Sequence, residues 1–404
     1  MRELRAALRN LLPGPLRERY HEHALRRDFG IDRRRGSRPS SVIDPLRAPG
    51  LNLIGYFDSS SGVGQSARSI ADAAARAGID VHRIEASAGQ EKAAAPYDVN
   101  LFHVNADGAA ATVEEMGPDL HRGRANIGYW YWESEEFPKR WQNRFDYFDE
   151  IWVASDYCRR AIAAASPVPV VLLPPAVVVA RRENAKRQAG VEDSGYLFLT
   201  MLDALSVPER KNPLGAVRAF ARAFPEAGEA SLLVLICNSE REPGLAPSLR
   251  EASRGARVRI REEALPRNEV EALLSACDAY VSLHRSEGFG LPIAEAMSAG
   301  KPVVATAYSG NADYLDEATG FPVAWSGFTL PRTIRDYDSG TRWAEPNEEH
   351  AIERLREVFE NRAEARRRGE AARRRIAERY SPGVIGDQIA SRMAQIRERL
   401  KATA

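Results

Sequence analysis

The sequence has few cysteines, no long apolar run and almost no net charge. Its three cysteines, Cys158, Cys237 and Cys277, lie far apart and form no CxxC pair, which argues against a disulfide framework and against a zinc site. No apolar run approaches the roughly 20 residues that a transmembrane helix needs. The formal net charge of +1 gives no overall attraction to nucleic acid. We therefore expect a soluble protein in a reducing compartment, with no nucleic acid partner.

The amino terminus lacks the apolar segment of a secretory signal, so we expect a cytoplasmic protein. Residues 1–47 nevertheless carry a surplus of arginine with leucines in between. A basic amphipathic arm of this kind can sit on anionic lipid headgroups, which would place the protein at the inner face of the membrane. The alternative is that residues 1–47 form a solvated leader that does not bind lipid.

Length and periodicity indicate two α/β domains. A chain of 404 residues exceeds what one hydrophobic core usually organises, and a cleft between two domains commonly binds a ligand. Short β-branched runs alternate with helical patterns, which predicts parallel sheets covered by helices. A proline pair followed by a charged stretch places the linker near residues 174–190. The predicted strands are 51–57, 81–85, 99–104, 125–131, 151–154 and 170–173 in the first half, and 197–202, 232–237, 258–260, 279–283 and 303–306 in the second.

Two glutamates follow one buried strand of the second half. Glu287 lies on the loop after residues 280–283, and Glu295 lies near the start of a helix whose first turn holds Pro292. Ligands of open α/β sheets bind at that edge, where free amides and the helix dipole attract an anion. Carboxylates beside a phosphate site make chemical sense as acceptors of hydroxyl hydrogen bonds, and a nucleotide sugar offers hydroxyls on its ribose and on its hexose.

The segment from His284 to Glu295 resembles the E-x7-E motif of retaining glycosyltransferases of family GT4. The resemblance implies a GT-B fold, with two Rossmann-like doubly wound domains and an interdomain cleft. It assigns Glu287 to the donor hexose and Glu295 to the ribose. The alternative is a helix whose glutamates only complement its N-terminal dipole. The donor-binding residues that it implies around this pair are Gly288, Phe289, Gly290 and Leu291.

A second anion site precedes another helix, which the pair Asn212-Pro213 begins as N-cap and first residue. Arg210 and Lys211 are therefore predicted beside free amides, where they could neutralise the charge that grows on a departing diphosphate. The family commonly has an arginine five residues before this lysine, where the chain has Ser206. We assign that role to Arg210. The alternative is that Arg210 and Lys211 are solvated charges on a loop.

The first half contains a glycine-rich loop, with Gly62 and Gly64, between its first strand and the helix 64–77. It matches G-x-G-x-x-A, and Glu85 ends the next strand where a dinucleotide-binding fold has its ribose acid, so an NAD(P)-dependent oxidoreductase is a rival interpretation. The loop between strand and Gly62 is longer than the tight dinucleotide turn. It resembles the GT4 loop that approaches donor phosphate and acceptor.

Two further segments end strands of the first half. His103 resembles a family position near the sugar or acceptor and is a catalytic candidate, with a structural histidine as the alternative. The aromatic segment 126–138 resembles a bacterial GT4 branch of surface-polysaccharide assembly. Aromatic faces stack on sugars, which makes Trp132, Glu133 and Glu135 candidates for acceptor binding, with core packing as the alternative.

The resemblance implies transfer of a hexosyl group, mannosyl among the candidates, from a UDP- or GDP-sugar to a glycan or lipid-linked acceptor hydroxyl. Arg210, Lys211, Glu287 and His103 are the catalytic candidates. The nucleotide sugar is a substrate, and we expect no cofactor and no metal because no Asp-x-Asp pair ends a strand. A non-catalytic nucleotide-sugar-binding protein is a further alternative. The resemblance also implies that the last helix crosses back, giving domains of 48–178 with 384–404, and 179–383.

Overall fold

The computed structural model describes residues 42–87, 94–180, 182–191, 195–226 and 228–401, with Leu16, Tyr20, His23 and residues 27–29. The predicted basic arm, residues 1–47, lies mostly outside the described residues, and its contact with lipid stays a prediction. Over the described part of the chain, no helix has the length and apolar character needed to cross a membrane.

The first half of the described chain forms one parallel sheet with the strand order β2-β1-β3-β4-β5-β6. Its central strands are buried along almost their whole length, as expected for a sheet with helices on both faces. The elements are β1 (Ala48–Gly55), α1 (Gly62–Arg76), β2 (Val81–Glu85), β3 (Tyr97–His103), α2 (Ala106–Met116), α3 (Pro118–His121), β4 (Ala125–Trp130), a 3₁₀ helix (Lys139–Tyr147), β5 (Glu150–Val153), α4 (Asp156–Ala163) and β6 (Val170–Leu172).

The second half forms another parallel sheet with the order β12-β11-β10-β7-β8-β9. Its strands are β7 (Tyr196–Asp203), β8 (Ala230–Cys237), β9 (Val258–Glu262), β10 (Ala279–Ser282), β11 (Val303–Thr306) and β12 (Phe321–Val323), and β13 (Trp325–Thr329) pairs with β14 (Arg342–Pro346) as a separate hairpin. The helices are α5 (Ala185–Gln188), α6 (Pro208–Lys211), α7 (Pro213–Ala223), α8 (Leu245–Ala252), α9 (Arg267–Ala276), α10 (Leu291–Ser298), α11 (Glu348–Glu360), α12 (Arg362–Tyr380) and α13 (Pro382–Leu400), with 3₁₀ turns at Ser239–Arg241 and Ser309–Asp313.

The prediction of two doubly wound α/β halves is confirmed. Every predicted strand is present, with ends that differ by a few residues. The sequence prediction missed β12 and the hairpin of β13 and β14. Residues of β13 are mostly exposed, so they lack the buried apolar run on which the prediction depended.

The last helix, α13, lies against α1 on the first half. Ile385, Ile389 and Met393 are fully buried in the core that α1 shares, and Gly386 lies directly on the carbonyl of Ala73. Arg397 adds a salt bridge of 2.6 Å to Asp98 on β3. The residue bounds of the two predicted domains stay a prediction.

Candidate functional site

The carboxyl edges of the two sheets face a cavity of about 390 Å³. Pockets of this size hold small ligands. The first half contributes the end of the glycine-rich loop, the start of α1, and Tyr131 and Glu133 after β4. The second half contributes the loops after β7 and β10 and the start of α10. Of the residues predicted from sequence, the cavity brings together Gly62, Glu133, Arg210, Lys211, Glu287, Gly288, Phe289, Gly290, Leu291 and Glu295.

Glu287 is paired with both predicted cations. Lys211 Nζ lies 2.6 Å from its Oε1, and Arg210 Nη1 lies 3.3 Å from its Oε2. Burial alone would raise the pKa of Glu287, but the charges of Lys211 and Arg210 outweigh burial and lower that pKa to about 2. Glu287 is therefore a carboxylate throughout the physiological pH range, able to accept hydrogen bonds only.

The loop before α7 explains how these cations reach the cavity. Asn212 adopts a left-handed conformation with φ of 50°, and its side chain accepts a hydrogen bond from the amide of Gly215, so the predicted N-cap is confirmed. The Asn212 amide group also donates to the carbonyl of Leu283 at 2.8 Å. The backbone amide of Arg285 donates to the carbonyl of Arg210 at 2.7 Å. The two loops that carry Arg210 and Glu287 are thus fixed to each other, while Ser206 lines the cavity nearby.

The loop of Gly288 and Gly290 fits tightly between the two halves. A Cβ at Gly288 would lie 3.0 Å from the ring of Tyr131, and its carbonyl accepts a hydrogen bond from Ser155 Oγ at 2.5 Å. Gly290 has φ of +82° and is the N-cap of α10. A side chain at either glycine would be strained or would push against the first half.

Glu295 lies on α10 at another part of the cavity wall. It is 4% exposed, and its Oε1 lies 2.7 Å from Nη1 of Arg267. Burial raises the pKa of Glu295, and Arg267 opposes that rise. The sequence prediction missed Arg267, whose position as the first residue of α9 after β9 was a signal of the same kind as that of Glu295.

His103 lies beneath the cavity rather than in its lining. Its side chain is fully buried, stacks on Tyr129 at 4.4 Å and shares a hydrogen bond of 2.9 Å between Nε2 and Ser66 Oγ. Ser66 Oγ is also 2.6 Å from the hydroxyl of Tyr131, which does line the cavity. Burial lowers the pKa of His103 to about 4, so the ring is neutral at pH 7. In this arrangement a hydrogen-bonded route through Ser66 and Tyr131 connects His103 to the cavity.

Trp132 and Glu135 also lie outside the cavity lining. Trp132 is 5% exposed, because the ring of Tyr337 stacks on its ring at a centroid distance of 5.0 Å and that of Trp141 meets it edge to face at 5.1 Å. The Glu135 carboxylate accepts a hydrogen bond of 3.2 Å from the Tyr308 hydroxyl. The prediction that Trp132 offers a ring face to an acceptor sugar therefore needs correction, since protein side chains already cover it.

Glu133 alone among the three acceptor candidates reaches the cavity. Its Oε1 lies 3.6 Å from Arg210 Nη2, and its Oε2 accepts a hydrogen bond of 2.7 Å from the Tyr337 hydroxyl. The backbone carbonyl of Glu133 accepts a hydrogen bond of 2.9 Å from Trp343 Nε1. Tyr337 and Trp343 belong to residues 325–346, which we call the insert. The insert thus joins the second half to the aromatic segment of the first.

A family model matches more than half of the chain. The model of family 4 glycosyltransferases in conflict systems matches residues 154–385, which include α6, the Glu287 loop and α10. The chain belongs to this family. This glycosyltransferase has no match among curated proteins.

Solved structures share the fold of the glycosyltransferase. Sucrose-phosphate synthase from Thermosynechococcus elongatus has a TM-score of 0.64 and 16% identity, over 87% of this chain and 100% of that one. HepE from Anabaena, solved with UDP and glucose, has a TM-score of 0.60 and 13% identity, over 86% and 100%. A glycosyltransferase from Rickettsia africae has a TM-score of 0.64 and 13% identity, over 89% and 100%. These likenesses establish the GT-B fold.

The glycine-rich loop of the glycosyltransferase differs from a dinucleotide turn. Residues 56–61 separate β1 from α1, and the Glu85 carboxylate accepts hydrogen bonds from the amides of Phe57 at 2.8 Å and Asp58 at 3.2 Å. Gly64 is packed against the carbonyls of Tyr56 and Ser59 instead of lining the cavity. Glu85 therefore holds the loop, which is not the ribose-binding role that the oxidoreductase interpretation requires.

Within the described residues of the glycosyltransferase, no group of three or more His, Cys, Asp or Glu side chains could hold a metal ion. The expectation of a metal-independent reaction stays a prediction.

Proposed function

We propose that this glycosyltransferase transfers a hexosyl group, with retention, from a UDP- or GDP-sugar to a hydroxyl of a glycan or lipid-linked acceptor in cell-surface polysaccharide synthesis. One observation carries the donor half of this proposal: Glu287, paired with Arg210 and Lys211, and Glu295, paired with Arg267, line the same cavity. A nucleotide sugar has a hexose, a diphosphate and a ribose in sequence, and these groups match the chemistry of that lining.

The diphosphate belongs beside Arg210 and Lys211. Negative charge grows on the departing nucleoside diphosphate as the glycosidic bond breaks, so cations fixed at this point stabilise the transition state more than the ground state. Hydrogen bonds to charged groups contribute about 1.5–3 kcal/mol each. Arg210 and Lys211 are held by backbone and carboxylate contacts, which limits reorganisation during the reaction.

The two glutamates then take hydroxyl groups of the donor. Glu287, kept ionised by its cations, can accept from hexose hydroxyls, and Glu295 can accept from the ribose. Glu133 approaches Arg210 from the first half and is the acceptor-side carboxylate of this proposal. His103 serves as a positioning residue through Ser66 and Tyr131.

A donor screen tests the proposal. UDP-glucose, UDP-N-acetylglucosamine, GDP-mannose and ADP-glucose are compared by thermal shift, with UDP-glucose first because the fold relative HepE was solved with UDP and glucose. A ligand at 100 times its dissociation constant stabilises the folded state by about 2.7 kcal/mol. Donor hydrolysis and transfer to candidate acceptors are then followed by mass spectrometry of the products.

Two variants test whether the measured activity depends on the residues of the cavity. Lys211→Ala should lower turnover of the selected donor by about tenfold to a hundredfold, the loss of one charge-assisted contact in the transition state. Lys186→Ala is the matched control, because its Nζ pairs with Asp278 and its side chain is absent from the cavity lining. Unchanged kinetics in Lys211→Ala, or equal losses in both variants, would contradict the proposed function.

A further inference from the structure

Arg267 is a cavity residue for which neither the sequence motifs nor the proposed reaction has a role. Its Nη1 lies 2.7 Å from Glu295 Oε1, and its Nε donates to Glu271 Oε1 at 3.1 Å. Glu271 also accepts from Arg182 Nη2 at 2.8 Å. Alternating charges thus run from Arg182 through Glu271 and Arg267 to Glu295, and only the last two line the cavity.

The wall around Arg267 has the composition expected for a nucleoside. Leu235, Leu265 and Val270 line the same cavity and offer apolar surface for a base. Arg267 and Glu295 are polar groups of this wall, and Arg68, which lines the cavity from α1, is close enough to Arg267 to interact with its charge. The buried Tyr280 interacts with the charge of Glu295. This wall contains the polar groups needed to read the hydroxyls of a sugar attached to the base.

Arg267 stabilises the ionised form of Glu295. Burial favours the neutral acid, the neighbouring Glu271 adds to that effect, and Arg267 is the cation that opposes both. The ionised carboxylate accepts hydrogen bonds from both hydroxyls of a ribose, whereas a protonated acid presents one donor in place of an acceptor. The salt bridge also fixes the orientation of the carboxylate.

We propose that Arg267 is a positioning residue that holds the Glu295 carboxylate ionised and oriented, so that the cavity selects ribonucleoside diphosphates over 2′-deoxyribonucleoside diphosphates. This inference rests on the proposed function, which puts a nucleoside diphosphate in the cavity. It adds the residue that sets recognition of the ribose.

Binding measurements on the full chain test the inference without an acceptor. Dissociation constants for UDP, GDP, ADP and their 2′-deoxy counterparts are measured by calorimetry at pH 7.5 and pH 5.5. The ratio of deoxy to ribo dissociation constants is the readout, since titration of the diphosphate itself cancels in it. We expect a wild-type ratio of about ten or more for the nucleotide that binds, as for a hydrogen bond to a charged group.

Arg267→Met should lower this ratio at pH 7.5 and bring it close to one at pH 5.5, because removal of Arg267 raises the pKa of Glu295 further. Arg267→Lys keeps a cation and should restore part of the ratio. Arg182→Met is the matched control, because Arg182 pairs with Glu271 but does not line the cavity. This variant should keep the wild-type ratio. All variants are compared by circular dichroism and thermal unfolding.

Three results would overturn the inference while leaving the proposed function intact. The first is a wild-type protein that binds ribo and deoxy forms equally, and the second is an Arg267→Met variant that keeps the wild-type ratio at both pH values. The third is an equal loss in Arg182→Met, because the effect would then not be specific to the contact between Arg267 and Glu295. Failure of every nucleoside diphosphate to bind the wild type would instead overturn the proposed function, and the inference with it.

Discussion

Neutralising Glu287 should destabilise the protein at neutral pH and much less in acid. Its ordinary pKa of 4.5 falls to about 2 in the folded state, because Lys211 and Arg210 outweigh the effect of burial. This lowering corresponds to about 3 kcal/mol of stability, since one pKa unit is worth about 1.4 kcal/mol. Glu287→Gln, a neutral side chain of the same shape, should therefore lower the free energy of unfolding by about that amount at pH 7.

The sign of the pH dependence follows from the lowered pKa. A carboxylate with a lowered folded-state pKa contributes its full stability above the unfolded value of 4.5 and loses it as the pH falls towards 2. The difference between wild type and Glu287→Gln should shrink to about 1.4 kcal/mol at pH 3. Urea unfolding followed by tryptophan fluorescence, at pH 7 and pH 3, measures both differences.

Glu295→Gln is the matched control for this experiment. It is the same substitution in the same cavity, but burial raises the pKa of Glu295, so its charge disfavours the folded state at pH 7. Glu295→Gln should leave stability unchanged or increase it. The reasoning fails if Glu287→Gln is as stable as wild type at pH 7, if its deficit is the same at both pH values, or if both variants lose stability equally.

Three other predictions concern the metal, the insert and the last helix. Transfer or hydrolysis of the donor should be unchanged by excess EDTA, and a loss that Mg²⁺ restores would contradict the assignment of diphosphate charge to Arg210 and Lys211. Trp343→Ala should lower the free energy of unfolding by about 3–5 kcal/mol, because Trp343 is 1% exposed between the two halves. Trp325→Ala is the exposed control, since Trp325 is 43% exposed. Similar losses in both variants would contradict a role of Trp343 in packing the two halves together. Gly386→Ala should destabilise the folded protein by about 1–3 kcal/mol, because the added methyl group would press on the Ala73 carbonyl. Gly383→Ala lies on the same helix beside open space and should leave stability unchanged or increase it. Thermal unfolding of both variants distinguishes these outcomes.

Local patterns predicted most of the fold. Strands β1, β3, β7 and β8 are buried apolar runs, and Asn212-Pro213 is a helix start that local chemistry alone specifies. The same holds for Glu287 and Glu295, because parallel strands bring their carboxyl ends to one edge and the loops after them must face the cleft.

The misses depend on contacts between distant parts of the chain. Trp132 was predicted as a sugar platform, yet Tyr337, more than 200 residues later, covers its ring. The sequence around Tyr337 has no periodic pattern that indicates this partner. The position of Arg267 at a helix start was visible in the sequence, but its pairing with Glu295 depends on the fold. The burial of His103 likewise depends on which side chains the fold brings together, and the type of this residue does not specify that.

The stacking of Tyr337 on Trp132 bears on the timing of the catalytic cycle. Opening the cleft would expose both rings and Trp343 to water, and exposure of each large apolar side chain costs about 1.5–3 kcal/mol. We therefore expect the cleft to stay closed without a ligand, so that binding of the donor does not have to supply the free energy of closure. The cleft must then open against this cost when the nucleoside diphosphate leaves. We therefore expect product release to limit turnover, and we expect substitutions in the insert to make product release faster.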